Sequence, residues 1–333
     1  MLLAFGKTSN DQQNSKIVFV DPIYQRQFIG LPTLPLKENL HIFPIANTIV
    51  VCGTSEVGNH EECLCYDDNT NQVWLWMKQK LQFSRKYAST QVLTFKNHAG
   101  EIVTQLWILG GAIMQTSTVA SVIQSADFLT LDIDDQVNGF NCFTKINENW
   151  KSGVDMPKAL ADHCTVVVDE HKILVSGGFT IEDFVVKDTG FYDVLDGSWE
   201  NLESMKQARK QHTCAKLDLS AGFEVAIIAG GQDASNEPLS SCEIFYLKKE
   251  IQQWAEIQSL PLPLTMSSLI NVNNRLILSG GMSSGIAQNA MWVYDEENGW
   301  HYFNQKLSLG LYSHISVLWE KKPNTIIKGN PHY

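Results

Sequence analysis

The double glycine that closes "LWILGG" (residues 106–111) returns in "ILVSGG" (173–178), "VAIIAGG" (225–231) and "RLILSGG" (275–281). Glycine inside a strand is unfavourable by roughly 0.5–1 kcal/mol relative to alanine. Two of them at the end of the same kind of apolar run, four times over, mark a backbone event that the fold needs repeatedly. The chain is therefore read first as copies of one supersecondary unit.

Two further markers keep the same register. A tryptophan lies roughly 20 residues beyond a glycine ending: Trp74 after Gly53, Trp199 after Gly178, Trp254 after Gly231 and Trp300 after Gly281. Before each lies an apolar run with a tyrosine near its end and then a cluster rich in Asp, Asn or Gly, as in "GFYDVLDGSW" (190–199) and "MWVYDEENGW" (291–300). That pattern is a β-hairpin signal. Thirteen residues past the aromatic comes a third marker and another apolar strand: Phe28 leads to His41, Trp74 to Tyr87, Trp150 to His163, Trp199 to His212, Trp254 to Ser267 and Trp300 to Ser313. Six units thus share one order of four strand-like pieces.

Four short strands per unit, at a period of roughly 50 residues, are the content of one propeller blade. The pairs Gly110-Gly111, Gly177-Gly178, Gly230-Gly231 and Gly280-Gly281, the downstream tyrosine and the spaced Trp74, Trp150, Trp199, Trp254 and Trp300 resemble the kelch repeat. The stretch "WKSGVDMPKALADHC" (150–164) is similar to a kelch junction along its whole length. The resemblance implies an all-β, six-bladed kelch-type β-propeller with four antiparallel strands per blade. In this reading the first glycine admits close packing near the axis, the second turns the backbone out of the strand, and the Tyr and Trp fill the space between blades.

The two ends are expected to close the ring. "NTIIKGNPHY" (324–333) reads as a degenerate glycine-ended strand with no Tyr or Trp strand after it, and "KIVFVDPIYQRQF" (16–28) supplies both. Residues 16–30 are therefore expected to complete a sixth blade with residues 313–333, leaving 1–15 as a surface loop beside a single propeller domain spanning 16–333. Blade two carries an insertion between Gly111 and Trp150.

Net charge is −11, which argues against a nucleic-acid backbone as partner. No apolar run is long enough for a membrane helix, and "MLLAF" lacks the basic and apolar regions of a secretory signal. Seven cysteines, an odd number, lie scattered without a CxxC pair, so neither a disulfide scaffold nor a zinc cage is expected. No Asn-x-Ser/Thr sequon occurs. These features point to a cytoplasmic, monomeric propeller.

No phosphate loop, HExxH or GxSxG element is present. The Tyr–Cys pair with Tyr and His ligands of the kelch-like copper oxidases has no counterpart, so no metal and no cofactor is expected. His163, His212 and His314 fall near the starts of inner strands, where they read as repeat residues bonded to neighbouring backbone. The loops after the glycine strands and after the Trp strands are expected on one face. Kelch domains of ligase adaptors grip acidic peptides there, and that resemblance nominates Arg85, Lys86, Arg209 and Lys210 as partner contacts. The expected function is a protein-interaction module or scaffold. The rival is a sugar mutarotase or epimerase, which needs an acid/base pair in the funnel, a Glu/Asp beside Arg or His.

Overall fold

A computed structural model describes residues 2–8, 11–20, 34–45, 48–55, 61–67, 73–115, 118–131, 142, 146 and 148–318. Among them there is no helix. β1 (Leu2–Thr8) and β2 (Asp11–Val20) come first. Blade 1 is β3 (Leu36–Ile45), β4 (Thr48–Ser55), β5 (Glu61–Asp67) and β6 (Leu75–Trp76). Blade 2 is β7 (Ser89–Lys96), β8 (Ile102–Leu109), β11 (Ala126–Leu131) and β12 (Lys151–Ser152), with a side hairpin of β9 (Ala112–Gln115) and β10 (Thr118–Val122). Blade 3 is β13 (Cys164–Val167), β14 (Lys172–Ser176), β15 (Thr189–Asp193) and β16 (Trp199–Asn201). Blade 4 is β17 (Thr213–Asp218), β18 (Glu224–Ala229), β19 (Cys242–Tyr246) and β20 (Trp254–Ile257). Blade 5 is β21 (Ser268–Val272), β22 (Arg275–Ser279), β25 (Ala290–Asp295) and β26 (Gly299–Lys306), with the small hairpin β23 (Met282–Ser283) and β24 (Ile286–Ala287). β27 (Tyr312–Leu318) follows.

The chain is an all-β propeller with five four-stranded blades, where six were expected. The remaining sheet has three described strands in the order β2-β1-β27, and β27 lies beside both β21 and β3. Residues 2–8 are not a surface loop: β1 pairs directly with β27, Leu3 opposite Val317, and β2 pairs with β1, Phe19 opposite Leu3. β1 thus takes the position beside β27 that the expected closure gave to residues 324–333, and residues 16–20 lie in the third strand. The physical reason is pairing capacity, since an apolar strand at the very N-terminus meets the exposed ladder of β27 first. The expected strand in 324–333, and residues 21–30, lie outside the described residues.

The apolar runs before the glycine pairs are the second strands β8, β14, β18 and β22, and they are buried along most of their length. They read as unbroken apolar runs because a neighbouring blade covers each face. Phe43, Val50 and Cys52 of blade 1 meet Leu106, Ile108 and Leu129 of blade 2, and Val225, Ile227 and Ala229 of blade 4 meet Leu276, Leu278 and Trp292 of blade 5. The repeat aromatics pack in pairs, Tyr66 with Trp74 at 5.3 Å between ring centroids, Phe245 with Trp254 at 4.9 Å and Tyr294 with Trp300 at 5.1 Å. Trp150 packs on Phe43 of blade 1 instead.

The glycine pairs have two separate jobs. At Gly177 (φ +58°) a Cβ would lie 2.7 Å from Cε1 of His212 and 2.9 Å from Cε of Met205, both brought by the connection into blade 4. At Gly178 (φ +95°) it would lie 2.6 Å from the carbonyl oxygen of Ala161 and 2.8 Å from Cβ of His163, at the start of the same blade's inner strand. The first glycine therefore admits the next blade and the second admits its own, and both need a left-handed backbone.

The cysteines overturn the sequence expectation. Disulfides join Cys52 to Cys63, Cys65 to Cys142 and Cys164 to Cys214, leaving Cys242 buried and free. Cys52 and Cys63 are opposite one another on β4 and β5, and Cys164–Cys214 ties β13 to β17 across a blade junction. Cys65–Cys142 pins the blade 2 insertion to blade 1, where the Cys142 amide also donates to the Asp67 carboxylate at 2.7 Å. An odd count conceals such pairing because sequence spacing says nothing about which strands face each other.

Gly178→Ala is expected to destabilise the fold by roughly 2–4 kcal/mol, the sum of a left-handed penalty and overpacking. Gly222 (φ +79°), with nothing within 4 Å of an added Cβ, is the control, and its alanine variant bears only the backbone part. Urea unfolding of the two variants separates the terms; equal losses would contradict the steric account. Alkylation of the unfolded chain without reductant is expected to mark Cys242 alone, and label on any other cysteine would contradict the pairing.

Candidate functional site

Six residues at or just before the start of the inner strands are in the left-handed region: Tyr87, Asp162, Gln211 and Met266 precede theirs, while Asn39 and Ser313 lie within the first residues of β3 and β27, with φ between 46° and 61° for all six. Such a conformation is unfavourable by about 1–2 kcal/mol for a residue with a Cβ, so something must hold it. A backbone relay does. The Asp162 amide donates to the Tyr87 carbonyl at 2.8 Å, Gln211 to Asp162 at 2.9 Å, Met266 to Gln211 at 2.9 Å and Ser313 to Met266 at 3.0 Å. The relay runs from blade to blade around the axis. It also corrects two sequence spacings, since the residue equivalent to His163 is Ala88 after Trp74 and His314 after Trp300, one position beyond the expected markers.

All six residues line one cavity of about 320 Å³ at the mouth of the axial channel, joined by Lys7, Lys86, His163 and His212. The two loop sets expected on one face do meet here: Lys86 bridges to Ala112, Ala161 to Phe179, Lys210 to Gln232 and Thr265 to Met282. Lys86 pairs with Glu38 at 3.2 Å. The Lys210 ammonium stands 5.7 Å from the Phe179 ring centroid, and Tyr87 meets the same ring edge-on at 6.5 Å.

Asp162 is the acidic group of the mouth. It accepts from Gln211 Nε2 at 2.9 Å, and Gln211 Oε1 in turn accepts from the Thr265 hydroxyl at 3.2 Å. Burial pushes its carboxyl up to about 7, against the opposing pull of Gln211 and the Lys210 charge. The histidines are pushed the other way. Burial lowers His163 to about 4, and burial with the Arg209 charge lowers His212 well below its usual value. Each imidazole Nε2 meets a serine hydroxyl, Ser89 at 2.9 Å for His163 and Ser176 at 3.3 Å for His212. Both rings are neutral wedges against the glycines of the preceding blade. The side chain of His314 lies outside the described residues.

Two of the four nominated contacts are not on the surface. Arg209 is fully buried; its Nη1 donates to the carbonyls of Gly230 (2.7 Å) and Ser241 (3.0 Å), and its Nη2 to the Ser241 hydroxyl (3.0 Å) and the Glu243 carboxylate (2.8 Å). Glu243 also accepts the amides of Lys206 (2.7 Å) and Gln207 (3.1 Å). Arg85 repeats the arrangement in blade 2: it is buried, ion-paired with Asp127, and donates to the Gly110 carbonyl at 3.3 Å, with Phe83 under its guanidinium at 4.4 Å. Both arginines are interior clamps. "RK" dipeptides on connecting loops read as surface charge, but the first residue of each turns inward and only Lys86 and Lys210 remain at the mouth. The missed signal is the Ser-x-acid spacing in "SADF" (125–128) and "SCEIF" (241–245), which supplies the clamp's acceptors.

No family model matches the chain. Over 157 residues it is 22% identical to the kelch repeat-containing protein kel-10 of Caenorhabditis elegans, covering 46% of this chain and 26% of that protein. Over 122 residues it is 26% identical to beta-scruin of Limulus polyphemus, covering 34% and 13%. The match thus spans about a quarter or less of these relatives. Among solved structures, the one titled "Structure of YjhT" superposes with a TM-score of 0.60 at 13% identity, covering 84% of this chain and 88% of that one. Repeat pattern, blade architecture and relatives agree that the chain is a β-propeller similar to kelch-repeat proteins.

Arg209→Leu is expected to cost about 3–5 kcal/mol, because Glu243 is left buried without its counter-ion. Adding Glu243→Leu is expected to recover roughly half of that or more. Urea denaturation of wild type, both single variants and the double variant measures the coupling; additive losses would mean that the two groups do not act as a pair.

Proposed function

We propose that this propeller is a protein-interaction module that takes a partner polypeptide on the loop face around the axial mouth. The observation that carries the reading is where apolar side chains stand exposed. Phe184 (81%) and Ile181 (59%) crown the blade 3 loop, Ile286 (64%) the β23–β24 hairpin, and Ile113 and Val119 the β9–β10 hairpin. Tyr87 is itself exposed, and Lys86 and Lys210 bridge to the segments after the glycine pairs on the same face. Exposed aromatic and aliphatic groups around a polar centre are what a partner-binding surface offers. The fitting segment carries an acidic residue for Lys86 and Lys210, flanked by apolar residues for the tips. The net charge of −11 disfavours a nucleic acid in the same place. This reading includes the three-stranded sheet as a sixth blade that closes the ring.

The mutarotase or epimerase reading draws on Asp162, a carboxyl near neutrality at the funnel mouth. Its partner is an amide, Gln211, while the Arg–carboxylate pairs of this chain are buried within blades 2 and 4. Among the described residues the funnel therefore shows no Glu or Asp hydrogen-bonded to Arg or His, and binding is the better-supported reading.

A triple variant, Lys86→Glu, Lys210→Glu and Phe184→Asp, tests the face. In an array of short peptides that set one Asp or Glu among apolar residues, the wild type is expected to retain a subset. The variant, shown folded by circular dichroism, is expected to bind that subset at least about tenfold more weakly. Equal retention would remove the loop face from consideration. Acceleration of sugar anomerisation by the wild type, lost in Asp162→Asn, would favour the enzyme instead.

A further inference from the structure

Blade 3 lacks the clamp that blades 2 and 4 carry. Backbone hydrogen bonds fix the equivalence: the amides of Gly110, Gly177 and Gly230 donate to the carbonyls of Ser125, Asp188 and Ser241. The bridges of Lys86, Ala161 and Lys210 to the residue after each glycine pair set the connecting loops in the same register. By that register Leu160 stands where Arg85 and Arg209 stand, and Gly190 where Asp127 and Glu243 stand. In blade 5 the acidic position is taken by Trp292, which is buried and fills the space.

In blade 3 both replacements are smaller than the residues they stand for, and a cavity of about 380 Å³ remains. Met156, Leu160, Val175 and Gly190 line it together with the indole of Trp199 and with Asp188. Trp199 lies over Gly190, where a Cβ would come within 2.6 Å of its ring, yet it stays half-buried while Trp254 (3%) and Trp300 (5%) are covered. Thr189, also lining the cavity, has a buried hydroxyl with no partner among the described residues.

We propose that this seat binds a guanidinium group brought from outside, an arginine side chain of a partner polypeptide, which does in trans what Arg85 and Arg209 do within their own blades. The acceptors for it are in place. The Asp188 carbonyl occupies the position of the Ser125 and Ser241 carbonyls that accept Nη1 of the two internal arginines, and the Asp188 carboxylate supplies the anion that Asp127 and Glu243 supply elsewhere. A planar cation also suits the half-buried indole of Trp199. Asp188 is held meanwhile by Lys158, at the rim, with the two side chains 56% and 44% exposed. An exposed pair of this kind contributes little and yields to a bidentate guanidinium.

The probe is N-acetyl-arginine methylamide, titrated calorimetrically into the full chain, with its uncharged citrulline analogue alongside. Saturable binding in the roughly millimolar range is expected for the arginine compound and none for citrulline. Asp188→Asn is expected to weaken it about tenfold or more, and Lys158→Ala to strengthen it about twofold, since a competitor for the carboxylate is gone. Leu160→Arg, which restores the repeat's own cation, is expected to leave a folded chain that no longer binds. No saturation, equal binding of citrulline, or an unchanged Asp188→Asn would each overturn the proposal. Lys86→Glu with Lys210→Glu is expected to leave this binding intact, so failure at the seat and failure of the axial-mouth reading are separately visible.

Discussion

Two missing side chains hold the propeller's inner geometry together. At the glycine pairs the backbone of one blade receives both the start of its own inner strand and the connection into the next blade, at distances where a Cβ would collide with carbonyl oxygens and, at Gly110 and Gly177, with imidazole carbons as well. Interiors pack to crystal density, so this contact leaves the blades no freedom to slide. With the glycines fixed, the histidine wedges, the left-handed residues and the backbone relay around the axis are all determined in turn. A propeller of this kind is rigid at the axis because its closest contacts are backbone to backbone there, not because of any one strong bond.

The buried arginine clamps are a second layer on that geometry, and they are not uniform. Blades 2 and 4 use Arg with a carboxylate, blade 5 uses Leu264 and Trp292, and blade 3 has Leu160 and Gly190. A buried ion pair is not needed for stability when apolar packing can replace it. What the pair does supply is a fixed direction for the loop it anchors: Glu243 receives two consecutive loop amides as well as the guanidinium. Lys206 and Gln207 are thereby held just before Lys210 reaches the mouth. The clamp thus shapes the loop face at the axial mouth from behind, without lining the cavity itself.

The repeat was legible in the sequence because glycine pairs and tryptophans have few substitutes. No other residue fits Gly178, and few side chains fill the space that Trp254 and Trp300 fill. The parts that misled are those where sequence spacing carries no direction. Arg209 and Lys210 are adjacent and alike in charge, yet one is fully buried and the other faces the mouth. The N-terminal strand β1 has neither of the repeat's markers, and its role comes from the open ladder of β27. The left-handed ring was invisible for a different reason. Asn, Tyr, Asp, Gln, Met and Ser have nothing in common as residue types; their shared left-handed backbone, and for five of them the backbone relay, makes them equivalent.

That equivalence is where individuality enters a repeated fold. The positions facing glycine or indole are constrained in every blade, so variation is forced into positions the repeat leaves loose. The left-handed ring is one such place, where six different side chains converge on a single cavity. The clamp seat is another, where blade 3 keeps the repeated acceptor carbonyl and has Leu160 in the donor's place. A carbonyl oriented by the blade's backbone cannot be withdrawn when a neighbouring arginine becomes leucine, because the same carbonyl is committed to the glycine turn. The site is left pre-organised, and pre-organised acceptors beside a half-buried indole favour a planar cation over any group that would have to order them first.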